Sequence, residues 1–209
     1  MINLIPYVIG AGVVGILHMS APDHWATLCL LARNKQWAPK KLFGITFATA
    51  IGHVALSIVM GLAVVAVGLV VSHLISYYLD TAIGIIMILA GLFFGLKPLV
   101  VKKRHEHDEK ENSMGKLRGG IGYFVVLGAA LSPDPTIIPI YLSAISAGFY
   151  FALELSAVFA TASILTLLLF VQLGTLGLGK IFERIPEKYN DSMVGFVIAA
   201  IGVYVLVAR

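Results

Sequence analysis

A single cysteine, Cys29, is all the thiol in 209 residues, which excludes an internal disulfide, a cysteine zinc cage and a two-thiol redox relay within the chain. Charge is also sparse. Asp, Glu, Lys and Arg make up 12% of the residues, roughly half the share found in soluble globular domains. Against that, 59% are hydrophobic and the mean hydropathy is +0.94, more apolar surface than a water-soluble fold of this size can hide. The stretch from Met1 to Gly15 has no basic cluster before its apolar run, and Pro22 and His24 stand where a leader would carry small residues. It therefore reads as part of a first membrane span, not as a cleaved signal peptide.

What is present is a series of long apolar segments, at about 3–31, 42–71, 80–100, 119–147, 151–178 and 191–208. Most approach or exceed the length a helix needs to cross a bilayer core of roughly 30 Å. The formal charge is +4, but its basic residues lie in short connections between apolar runs, so nucleic acid is not the expected partner; the lipid bilayer is. Arg33, Lys35, Lys40 and Lys41 fall in the first connection, and Lys97, Lys102, Lys103, Arg104, Lys110, Lys116 and Arg118 at the third. Lys180, Arg184 and Lys188 fall in the fifth. Only Arg209 of the 15 Lys and Arg is left for the opposite face. With six spans, the positive-inside rule places this basic face in the cytoplasm and both termini outside, in a multi-pass protein of the cell membrane.

The two halves resemble each other. Pro22-Asp23 matches Pro133-Asp134, Phe47-Ala48-Thr49-Ala50 matches Phe159-Ala160-Thr161-Ala162, and Asp80, Gly84 and Gly91 match Asp191, Gly195 and Gly202. These matches divide a single transmembrane domain into repeat one (about 1–100), a cytoplasmic loop (about 101–118) and repeat two (about 119–209). Each repeat holds three spans, an odd number, so the second must enter the membrane from the other side. The expected fold is all-α: six transmembrane helices as two inverted-topology three-helix repeats, with a substrate site near the midplane.

Both repeats are expected to break in their first helix. Proline lacks an N–H and clashes with the preceding turn, so Leu17-His18-Met19-Ser20-Ala21-Pro22-Asp23-His24-Trp25 should kink near Pro22. Ser132-Pro133-Asp134-Pro135-Thr136-Ile137-Ile138-Pro139 repeats the device. On an unbroken helix Asp23 and His24 would point roughly 140° and 240° away from His18; a kink can bring them together. His53 lies in the second span beside Gly52, which permits close approach of a neighbouring helix. Two or three imidazoles and a carboxylate favour late first-row dications such as nickel, cobalt or zinc over magnesium and calcium. The structural reading of the same residues is that Asp23 caps the second half-helix while the histidines bond to backbone at kinks. Ser132, Asp134, Thr136 and Tyr141 are candidates for the other wall of a pathway. Asp80 and Asp191 suit helix caps, and His105 and His107, among Glu106, Asp108 and Glu109, suit a solvated loop.

His18-x-x-x-x-Asp23-His24 resembles the His-x4-Asp-His signature of nickel/cobalt permeases, and Gly52-His53 resembles the Gly-His motif of that family's next span. The Pro-rich break from Ser132 to Pro139 is similar to an element of related nickel/cobalt efflux proteins and urease-accessory membrane proteins, within the lysine-exporter-like superfamily. The flanks differ, with Leu17 before His18 and Pro22 immediately before Asp23, and six spans stand nearer the urease-accessory relatives than the eight-span permeases. The resemblance implies transport of nickel or cobalt as substrate, with no resident cofactor, recognised by His18, Asp23, His24 and His53. An exporter of an amino acid or small anion on the same scaffold is the alternative, using half-helix N-termini as its site. No His-Glu-x-x-His signature or paired general base is present, so an enzyme is not expected. The glycine faces around Gly84 and Gly91 can join helices within one protomer or between copies in a homo-oligomer.

Overall fold

The computed structural model describes residues 4–75, 79–100, 135–177 and 187–207. Among these residues the chain is all-helical, with seven α-helices, one 3-10 turn and no strands. In chain order they are α1 (Ile5–Met19), α2 (Pro22–Asn34), α3 (Pro39–Ile75) and α4 (Leu79–Val100). The 3-10 turn Pro135–Ile137 then leads into α5 (Ile138–Ala147), followed by α6 (Phe149–Thr175) and α7 (Glu187–Val207). Prolines mark the starts. Pro6, Pro22 and Pro139 occupy the first two positions of α1, α2 and α5, where a missing N–H removes no helical hydrogen bond. Gly148, at φ +98°, ends α5 and begins α6, a conformation glycine adopts at little steric cost.

Among the described residues, two helices are long and apolar enough to cross a membrane, over Pro39–Val70 and Phe149–Thr175. A third qualifies if α1 and α2, bent by 43° at their break, count as one span. The apolar stretches Thr81–Lys97, Ile138–Ala147 and Ser192–Val207 are shorter. Six full spans are therefore not established by helix length. Only 28% and 33% of the most apolar windows in α3 and α6 are buried, and Ile9, Val59, Val67, Leu89, Phe93 and Leu165 lie exposed on the outer surface. Outward apolar faces on this scale are compatible with a membrane protein, whose outer helix faces meet lipid.

The core runs between the helices in two parts. Val14, Met87, Ile140, Tyr141, Leu155, Phe159 and Ile198 join α1, α4, α5, α6 and α7. Trp25, Leu28 and Cys29 of α2 pack with Leu42 and Ala50 of α3 and with Leu167 and Val171 of α6. The most extensive helix contact is between α4 and α7, and glycine makes it possible. A Cβ on Gly195 would stand 2.2 Å from the backbone nitrogen of Gly95, and one on Gly91 would stand 2.4 Å from that of Ala199. Gly84 faces Gly202 and Gly91 faces Gly195, so the two helices run antiparallel with glycine against glycine.

Sequence expectations and structure part at several points. The expected segment 42–71 is longer as α3, and 191–208 starts earlier as α7. Asp191 was expected to cap its helix, but α7 begins at Glu187 and leaves Asp191 beyond the first turn; Asp80 is the second residue of α4. The two Phe-Ala-Thr-Ala copies face differently. Phe47 is exposed and Thr49 buried, whereas Phe159 is buried and Thr161 exposed. Matching letters in these helices therefore do not mark matching faces. Ser132, Asp134, His105 and His107 lie outside the described residues, as does the loop at 101–118.

Candidate metal centre

The first helix stops where proline demands it. α1 ends at Met19, Ala21 takes an extended conformation (φ −63°, ψ 135°), and α2 restarts with Pro22. Two bonds hold the break in shape: Ser20 Oγ donates to the Leu17 carbonyl at 2.8 Å, and Trp25 Nε1 reaches back to the Ser20 carbonyl at 3.0 Å. Trp25 is itself buried against α3 and α6, so its indole locks the restart of α2 to the end of α1.

This break brings three imidazoles together. The ring centroids of His18 and His24 are 4.6 Å apart, those of His24 and His53 5.2 Å, and those of His18 and His53 5.4 Å. His24 and His53 are 7% and 1% exposed; His18 is partly buried and presents a buried Nε2. Residues from three helices thus meet in the bundle interior.

Comparison with protein-family models, curated proteins and solved structures gives no match to this chain.

Asp23 does not join the cluster. Its side chain is 49% exposed, and its Oδ2 lies 3.8 Å from His24 Nε2, beyond hydrogen-bond range. Nor is it the cap of α2: the N-cap is Ala21, and Asp23 sits in the first turn, where its charge complements the helix dipole. On α2 the buried side begins at His24 and Trp25, while Asp23, roughly 100° round the helix from His24, falls on its exposed side. The carboxylate lies at the rim beside the histidines.

Among the described residues, no three His, Cys, Asp or Glu side chains stand arranged as a ready-made metal site. Ring orientation supplies a reason. His18 and His53 are nearly parallel, at an interplanar angle of 24°, whereas imidazole lone pairs lie in the ring plane and must point at one spot to share an ion. One of the two rings has to turn for all three to converge.

The other expected wall is described only in part. Thr136 belongs to the 3-10 turn, which packs against α1 and α3, the helices carrying His18 and His53. Tyr141 is fully buried. Its hydroxyl is bonded to Ser156 and its ring fills the space opposite Gly61, joining α5 to α6 and α3. Sequence reasoning named His53 but missed the buried hydroxyls that share its face of α3, Thr46, Thr49 and Ser57. Their spacing of three and four residues was a legible signal, since it places all four on one face of an otherwise apolar helix.

Proposed function

We propose that the chain is a multi-pass membrane carrier of divalent transition-metal ions, nickel or cobalt first among them, with His18, His24 and His53 as the binding residues. Asp23 assists from the rim by attracting the cation. The observation that carries this reading is the spacing of the three rings. Two imidazoles that bind one ion through nitrogens about 2.0–2.1 Å away have centroids roughly 4.5–5.3 Å apart for bond angles near 90–110°. The three separations, 4.6, 5.2 and 5.4 Å, fall close to that range, so rotation about side-chain bonds is enough to converge the nitrogens. The cluster sits beside a broken helix in an apolar bundle, where ionisable side chains are expensive and serve substrate pathways.

Helix packing supports six crossings in two inverted repeats. α2 packs on α6, while α5, its counterpart by the Pro22/Pro133 match, packs on α3, the counterpart of α6. Exchanging the two halves turns one of these contacts into the other. The α4–α7 contact maps onto itself under the same exchange, with Gly84 against Gly202 and Gly91 against Gly195. A two-fold axis lying in the membrane plane produces such a pattern, and access to the site alternates by rocking one repeat against the other.

Uptake of radiolabelled nickel or cobalt into proteoliposomes tests the reading. The wild-type chain is expected to carry the ion, and the triple variant His18→Ala, His24→Ala, His53→Ala to carry none. Flux that is unchanged in the triple variant eliminates the site. Thermal stabilisation by amino acids or sulfur oxyanions but not by metal ions would favour the exporter reading instead.

A further inference from the structure

Hydroxyls inside helices ordinarily bond back to a carbonyl three or four residues earlier, and this chain follows that habit at Thr27, Ser57, Ser143, Ser156, Thr161 and Thr175. Thr46 and Thr49 depart from it. They are 1% and 3% exposed, yet their Oγ1 atoms have no hydrogen-bond partner among the described residues. Both lie on the His53 face of α3, one and two turns toward its N-terminus, over an axial distance of roughly 10 Å. A third such hydroxyl, Ser163 Oγ on α6, lies 2.8 Å from where a Cβ on Gly15 would stand, one turn before His18. A buried hydroxyl left unpaired is costly, and a polar lining roomy enough for water or a hydrated ion removes that cost. The next position on the face is Leu42, buried and apolar, which closes the track within a turn of the exposed Lys40 and Lys41.

We propose that Thr46 and Thr49 form an oxygen-lined step on the route of a partly hydrated dication, between the three-histidine cluster and the Lys-bearing end of α3, with Leu42 as its closure. The proposal rests on the carrier reading of the cluster. Hydroxyl oxygens replace part of the ion's water there, before or after the imidazoles take hold.

The test uses the full chain in proteoliposomes and Co2+ as the probe. In the double variant Thr46→Val, Thr49→Val, flux is expected to fall by about ten-fold or more, while Co2+ affinity stays within about two-fold of wild type and the melting temperature does not drop. Thr161→Val, which removes an exposed, back-bonded hydroxyl, should leave flux unchanged. Independently of metal, Thr49→Cys in a Cys29→Ala background is expected to react with a water-soluble thiosulfonate, and the adjacent Ala50→Cys to resist it. Wild-type flux in the double valine variant, or an unreactive Thr49→Cys, overturns the route even if the histidines bind metal. A wild-type chain that binds no Co2+ overturns the carrier reading and the dication as occupant, whatever the cysteine reports.

Discussion

Three imidazoles from α1, α2 and α3 share one small volume, and an ion can use them only while they are neutral. A protonated imidazole has no lone pair to give. Protons therefore compete with Co2+ for the ligating nitrogens, and Co2+ affinity is expected to weaken on acidification. Titration of the purified protein, followed by the visible absorption of bound Co2+, measures this directly. The same titration separates the residues. Loss of one imidazole through His18→Ala, His24→Ala or His53→Ala should weaken binding by about ten-fold or more, equal to about 1.4 kcal/mol. Asp23→Asn should weaken it less, because the carboxylate is half exposed and outside bonding range of His24. Equal losses from Asp23→Asn and His53→Ala would show that the carboxylate moves in to bind.

At the scale of elements, the break between α1 and α2 decides what the histidines can do. His18 and His24 would project roughly 240° apart on a continuous helix; the 43° bend brings their rings within 4.6 Å. Pro22→Ala restores the N–H that a continuous helix needs, and should reduce metal binding without lowering stability. A Pro22→Ala protein with wild-type Co2+ affinity would mean that Trp25 and Ser20 hold the bend by themselves. Trp25→Phe removes the indole bond to the Ser20 carbonyl and should cost about 1 kcal/mol, read from thermal unfolding in detergent. The position of this break was legible in the sequence, because proline restricts backbone locally. Which of its neighbours faced inward was not. That depended on where α2 restarted, and a restart at Pro22 turns His24 inward and Asp23 out.

For the whole molecule, the α4–α7 contact is the most extensive helix contact between the two halves of the chain. Gly195→Ala places a methyl group against the backbone of Gly95 and the carbonyl of Gly91, and neither can yield as a side chain would. A loss of about 1–3 kcal/mol is expected. Gly44→Ala is the contrasting case: nothing lies within 4 Å of the added methyl group, so replacing a glycine within α3 should stabilise by about 0.5–1 kcal/mol. Thermal unfolding of both variants in one detergent compares them. A Gly195→Ala protein as stable as Gly44→Ala would show that the halves do not pack through this contact. The order of Gly84, Gly91, Gly195 and Gly202 was visible along the chain, but their antiparallel partnership was not, since spacing along the chain does not state how two helices are docked.

Composition and spacing alone determined that the chain is apolar, helical and broken at Pro22, because mean hydropathy and proline chemistry are local properties. The tertiary structure alone decided that His53 meets His18 and His24, that Asp23 stands at the rim and that Tyr141 is tied to Ser156. Those outcomes depend on how α3, α5 and α6 rotate and cross against α1. Such angles arise from side chains packing at long range, and no short stretch of sequence contains them.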